Sequence, residues 1–289
     1  MKKIVTLLTT ILIIGFLFNS CKKKTEEEPE PEPVKPTQDL TTQKNASADA
    51  METEAYSNDV YSNVFSGESE SSNKGTLVCA TVTLVPGALN PTYPKILTID
   101  FGTTPCTGTD GKARSGKIIA TLSDKIRNMG ATIDISLENY KVDTVAISGT
   151  FKLTNDSGST GSLTFTYTVT NMVLTVPSGT ISNNSTKTFS WTQGESTPLN
   201  VNDDVYSVTG SNTFVNLDGK TYKLDILTSL DFKVSCAELV KGTAKLTIPD
   251  LPIVTLDFGN GDCDGVGTLS TDLVVLGQTY TYTETFPLP

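Results

Sequence analysis

The sequence predicts a mainly β protein: a large antiparallel β-sheet or a β-sandwich of duplicated halves, with one N-terminal helix. Three observations carry this. Apolar and polar residues alternate through most of the chain after Gly75, turn-forming residues separate the alternating runs, and the chain repeats itself. Ile133, Ile135 and Leu137 interleave with Thr132, Asp134, Ser136 and Glu138. Val145, Ile147, Gly149, Phe151 and Leu153 keep the same period, and Leu163, Phe165, Tyr167 and Val169 alternate with threonines. Tyr222, Leu224 and Ile226, then Leu230, Phe232 and Val234, then Tyr280, Tyr282 and Phe286 continue it. A period of two gives each strand one apolar and one polar side. The expected turns are Asp143-Thr144, Asn155-Asp156-Ser157-Gly158, Asn183-Asn184, Asn202-Asp203-Asp204 and Asp218-Gly219. Connections this short imply antiparallel neighbours, because parallel strands need a long crossover.

Cys79 and Cys106 stand 27 residues apart, and so do Cys236 and Cys263. Leu97-Thr98-Ile99-Asp100-Phe101-Gly102 returns as Val254-Thr255-Leu256-Asp257-Phe258-Gly259, an offset of 157, at which Gly108 also falls on Gly265. The equal spacing favours Cys79–Cys106 and Cys236–Cys263 among the three pairings that four cysteines allow. Closing each loop contributes about 3 to 4 kcal/mol in the chain-entropy view. A fainter echo links Ile147-Ser148-Gly149-Thr150 to Val208-Thr209-Gly210-Ser211 and to Val240-Lys241-Gly242-Thr243. Glycine inside a strand marks a bulge or a close backbone approach, so these positions predict shared bends in a curved sheet. The helix is expected from about Ala48 to Phe65, capped by Ser47, with Tyr56, Val60 and Val64 forming a core-facing stripe beside Tyr61 and Phe65.

The N-terminus opens with Lys2 and Lys3 and a fifteen-residue apolar run, Ile4 to Phe18. A spanning helix needs about 20 apolar residues, so this reads as an export signal. It ends in Phe18-Asn19-Ser20-Cys21, which resembles a bacterial lipobox with Cys21 as the lipidated residue. The following Lys22-Lys23-Lys24-Thr25-Glu26-Glu27-Glu28 resembles the surface-export signal of Bacteroidota lipoproteins. That resemblance implies an outer-membrane protein, lipid-anchored and facing the cell exterior. Pro29, Pro31, Pro33 and Pro36 alternate with Glu30, Glu32 and Lys35, a composition that favours extended solvated chain at about 3.1 Å per residue. The expected organisation is a signal peptide over 1–20, an acidic Pro-rich tether over 21–45 and a β body over 46–289. The halves of the body are expected at about 46–145 and 146–289.

The formal charge is −10, and removing Met1 to Ser20 with its two lysines takes it to −12. An acidic body without a basic stripe argues against nucleic acid and anionic lipid surfaces as partners. The chain has no histidine, which removes the commonest general base, the commonest metal ligand and the serine or cysteine triads. The expected role is therefore non-enzymatic: binding a glycan or a protein at the cell surface, or building the envelope. The alternative, a carboxylate-dependent polysaccharide hydrolase, requires two acids flanking a scissile bond. Asp203 and Asp204 do not supply it, because adjacent strand residues point to opposite faces. Tyrosines aligned with Trp191 on an open face would mark a glycan platform.

No cofactor is expected except calcium. Asp257, Asn260, Asp262 and Asp264 place oxygen ligands near a glycine, as a calcium loop begins, but Thr271 stands where such a loop needs its bidentate acid. Asp100-Phe101-Gly102 and Asp257-Phe258-Gly259 read as strand ends turning into the cysteine loops. Asp143-Thr144-Val145 resembles the Asp-Thr-aliphatic motif at which Bacteroidota O-glycosylate exported proteins, with Thr144 as acceptor. Cys79 with Thr81 and Thr83, the Leu97 to Gly102 strand, the segment Cys106 to Lys117 and the distal Leu256 to Asp264 together resemble a family of uncharacterised Bacteroidota surface lipoproteins with two cysteine-containing repeats. The resemblance covers about Ala48 to the C-terminus. It implies location and duplication and carries over no catalytic residue.

Overall fold

A computed structural model describes residues 35–68, 77–158, 162–197, 200–236 and 238–287. The expected signal peptide, Cys21 and the first part of the expected tether lie outside the described residues. Helix α1 (Lys35–Glu68) is followed by β1 (Thr81–Val85), β2 (Lys95–Asp100), β3 (Cys106–Thr107), β4 (Ala113–Leu122), β5 (Thr132–Val142), β6 (Val145–Asn155) and β7 (Thr164–Val176). Then come β8 (Gly179–Gln193), β9 (Val205–Val215), β10 (Thr221–Lys233), β11 (Glu238–Thr247), β12 (Val254–Asn260), β13 (Val266–Val275) and β14 (Gln278–Pro287). All fourteen strands form one antiparallel meander, with short β3 set against the start of β4. Of the two architectures the alternation allows, the chain adopts the single open sheet.

Two expectations are corrected. The helix starts at Lys35, not Ala48, so residues 35–45 are helical and not extended tether. Pro36 is compatible with this because a proline in the first turn gives up an N–H that has no helical partner. Ser47 is consequently mid-helix, its hydroxyl donating to the Gln43 carbonyl at 2.9 Å. Asn183-Asn184 is not a turn but lies inside β8, since the hairpin closes earlier, where Val176 pairs with Gly179. The Asn184 carboxamide oxygen instead accepts the Asn171 N–H at 2.8 Å, filling a gap in the neighbouring ladder.

The helix runs across the strands. Gln43 donates to Thr271 on β13, Lys44 pairs with Glu284 on β14, and Glu54 pairs with Lys187 on β8. Ser57 reaches Met172 on β7, Tyr61 donates to the Lys152 and Thr168 carbonyls on β6 and β7, and Gly67 backs onto Leu97 and Ile99 on β2. From Gln43 to Gly67 the helix rises about 36 Å at 1.5 Å per residue. Ten strand spacings from β2 to β13 would take about 48 Å laid flat. The inner path is the shorter, so the sheet curves around the helix.

The strands also bend along their length. Gly116, Asn139, Gly149, Asn171, Gly210, Gly242 and Gly259 all have positive φ, and pairing slips beside Gly116, Gly149 and Gly242. A Cβ at Gly149 would sit 2.7 Å from the Met172 Cα, and one at Gly242 would sit 2.2 Å from the Ser229 carbonyl oxygen. The echoed glycines are thus the bends that their recurrence predicted.

Two apolar clusters fill the space under the helix. Val60, Tyr61 and Val64 pack with Leu97, Ile99, Phe101, Ile118, Ile133, Phe151 and Leu153 from β2 to β6. Ala46 and Ala50 pack with Phe214, Tyr222, Leu246, Val254, Leu256 and Phe258 from β9 to β12. The repeat is visible side chain by side chain. Leu97 and Val254, Ile99 and Leu256, Phe101 and Phe258 are all buried, and the Gly102 and Gly259 N–H groups donate to Asp100 and Asp257 at 2.8 and 2.9 Å. Disulfides Cys79–Cys106 and Cys236–Cys263 bracket each copy, with Cα separations of 5.9 and 6.0 Å.

Candidate functional site

Because the apolar side of each strand is spent on the helix, the outer face is polar. On β4 to β7 this face carries a cleft of about 410 Å³ lined by Thr121, Asp134, Ser136, Thr150, Lys152, Thr168 and Thr170. Register explains the grouping: Thr121 pairs with Asp134, Asp134 with Lys152 and Lys152 with Thr168, while Ser136 pairs with Thr150 and Thr150 with Thr170. Ile135 and Phe151 line the same cleft but bury their side chains in the core, so they contribute backbone. Lys152 and Asp134 form an ion pair at 3.0 Å, and both side chains are about half exposed. Such a pair contributes at most about 1 kcal/mol and exchanges readily with other polar partners. The cleft therefore offers five hydroxyls, one cation and one anion, with no nucleophile held against a base.

The densest charge is elsewhere and closed. Arg114 on β4 is 1% exposed and lies between two carboxylates, Asp59 of α1 and Asp110 of the loop before β4. Its Nη2 donates to Asp59 Oδ1 and, at 2.7 Å, to Asp110 Oδ2. Nε donates to Asp59 Oδ2 at 3.3 Å, and Nη1 to Asp110 Oδ1 at 3.0 Å and to the Lys112 carbonyl at 3.4 Å. Tyr140 donates to Asp59 Oδ2 at 2.6 Å, and Asn63 to the same oxygen at 3.2 Å. Burial pushes the Asp110 carboxyl up, but its bonds to Arg114 outweigh that and hold it below the usual range. Burial, with the Asp59 charge beside it, pushes the Tyr140 phenol well up. With every guanidinium donor engaged and both acids bonded to one cation, the group ties helix to sheet. It is the one place among the described residues where two buried acids share a centre, and it has no opening for a glycoside. The sequence signal was weak: an arginine four residues after Asp110, whose other partner Asp59 is 55 residues away.

The expected calcium residues are exposed and occupied with turn chemistry. Asp257 Oδ1 accepts from Gly259, Asn260 Oδ1 from Asp262 at 3.3 Å, and Asp264 Oδ1 from Val266 at 3.1 Å. These are Asx turns that shape the second disulfide loop. Glu238 lies within reach of Cys236 and Cys263, but both sulfurs are consumed by the disulfide. Thr144 is exposed at the β5–β6 hairpin tip, beside Asp143, whose φ is +54°. Asp143 closes this tip onto β4 by accepting the Ala113 N–H at 3.0 Å.

Trp191 is not on the open face. It is buried, stacked at 26° on Tyr206 with Arg127 over its ring, and its indole N–H donates to Asp204 at 3.2 Å. No helix among the described residues is long and apolar enough to cross a membrane. Comparisons with protein-family models, with curated proteins and with solved structures return no match.

Proposed function

We propose that this chain is a lipid-anchored surface protein of the Bacteroidota type that binds a hydroxyl-rich ligand, a glycan segment, without transforming it. The observation that carries the binding half is the outer-face cleft, whose side chains are threonine and serine hydroxyls around one exchangeable Asp134–Lys152 pair. Groups that both donate and accept suit sugar hydroxyls, and the strand backbone beneath them is rigid. Against hydrolysis stands the cleft's single carboxylate, where a glycosidase of the two-acid kind needs a pair roughly 5 to 10 Å apart. Recognition runs through hydrogen bonds, because Trp191, which would mark an aromatic platform if exposed, is buried.

Attachment rests on Cys21. The disulfides make the other four cysteines an even set, leaving Cys21 for acylation in a compartment that oxidises thiols. A glycan array probed with the protein, with and without calcium, tests the reading. Binding that is lost in a Lys152→Met, Thr168→Val variant of unchanged melting temperature supports the cleft, and a blank array in both conditions rejects it. Cys21→Ser is expected to abolish palmitate incorporation and release the protein from membranes.

A further inference from the structure

We propose that β14 is a dimerisation edge, at which a second copy of this chain adds its own β14 antiparallel so that two sheets continue as one. The meander ends on β14, which pairs with β13 over ten consecutive residues without a bulge. Its outer side leaves a full strand of backbone donors and acceptors without a strand partner among the described residues, and eight of its ten residues are exposed. Two of the usual protections of such an edge are absent: the strand has no lysine or arginine, and its one proline is the last residue, Pro287. The opposite edge shows what protection looks like. β1 has five residues and is followed at once by Pro86.

The sequence of β14 is also complementary to itself. Phe286 packs on Phe258, so even-numbered residues face the core side and the threonines at 279, 281, 283 and 285 face outward. A two-fold axis through Tyr282 keeps like faces together. It sets Thr281 opposite Thr283 of the partner subunit, Thr279 opposite Thr285 of the partner subunit, and Tyr280 opposite Glu284 of the partner subunit. Threonine pairs across antiparallel strands are favourable, and like charges directly opposite are not. The only charge, Glu284, is already held by Lys44 and by the Tyr282 hydroxyl at 2.7 Å. The two copies of Glu284 would lie about 14 Å apart along the strand. The β13–β14 tip carries Val274 and Leu276, 63% and 101% exposed, and this register lays it beside the partner's Phe286 and Pro287.

Sedimentation of the full chain in detergent tests the proposal. The wild type is expected to dimerise reversibly, and Thr283→Lys, an outward-facing change, to weaken the dimer about tenfold or more at unchanged melting temperature. Mixing Thr281→Cys with Thr283→Cys protein is expected to give a cross-linked dimer, in much higher yield than either variant alone. A wild type that stays monomeric, a dimer indifferent to Thr283→Lys, or an open-ended ladder of larger species would each overturn it.

Discussion

The two halves of the sheet repeat the same strand, turn and disulfide, yet they hold the helix by different means. In the β1 to β7 half, α1 presents Val60, Tyr61 and Val64 to a wide apolar surface and is fastened by Asp59 to Arg114. In the β9 to β14 half it presents Ala46 and Ala50, and its polar contacts there include Gln43 with Thr271 and the Pro252 carbonyl, Asp49 with Asn216, and the half-exposed Lys44–Glu284 pair. Between them, Asn183 and Asn212 are buried on β8 and β9 with side-chain amides that have no hydrogen-bond partner among the described residues. Duplication copied the strands, but the helix is single, so its two ends had to find unlike solutions. The cleft stands on the half where the helix is clamped.

The largest expected effect comes from breaking the clamp. Arg114→Ala leaves Asp59 and Asp110 buried without their cation and is expected to cost about 3 to 5 kcal/mol in denaturant unfolding. Lys44→Ala, at the other end of the helix, is expected to cost under about 1 kcal/mol. Next come the disulfides: replacing either pair by serine is expected to cost about 3 kcal/mol, alike in both halves because the loops are equally long. A large inequality would show that the halves differ in their unfolded states as well. Gly149→Ala, where a Cβ meets Met172 backbone, is expected to cost about 1 to 3 kcal/mol, and more than Gly259→Ala, whose nearest neighbour is 3.1 Å away.

Acid should act on the clamped half. Asp110 has a lowered value in the fold, so its contribution is complete above about pH 4 and is lost as pH falls through the folded value. Asp110→Asn is expected to flatten the decline in urea midpoint as pH falls below about 4. The smallest effect is at the seam. Replacing Asn183 and Asn212 together by leucine removes unpaired buried amides and is expected to leave stability unchanged or slightly raised.

Much of the fold was legible in the sequence because strand alternation is local. Ile133 to Leu137 and Val145 to Leu153 announce their faces within a few residues, and the cysteine spacing announces its own pairing. The helix start was not legible, since residues 36–45 are polar but for Pro36 and Leu40 and so carry no helical apolar stripe. Asn183-Asn184 looked like a turn because two asparagines carry turn propensity, but the pairing of Val176 with Gly179 had already closed the hairpin. The clamp and the cleft were hidden for one reason. Each assembles residues from separate elements: strand register brings Asp134 to Lys152, and packing of the helix on the sheet brings Asp59 to Arg114.

Native-state amide hydrogen exchange tests the asymmetry most directly. The account predicts that amides of β4 to β7 and of α1 from Tyr56 to Val64 exchange only on global unfolding. Those of β11 to β13 and of α1 from Gln43 to Ala50 should open earlier, and Arg114→Ala should erase the difference. Equal protection in both halves, or earlier opening of β4 to β7, would contradict it.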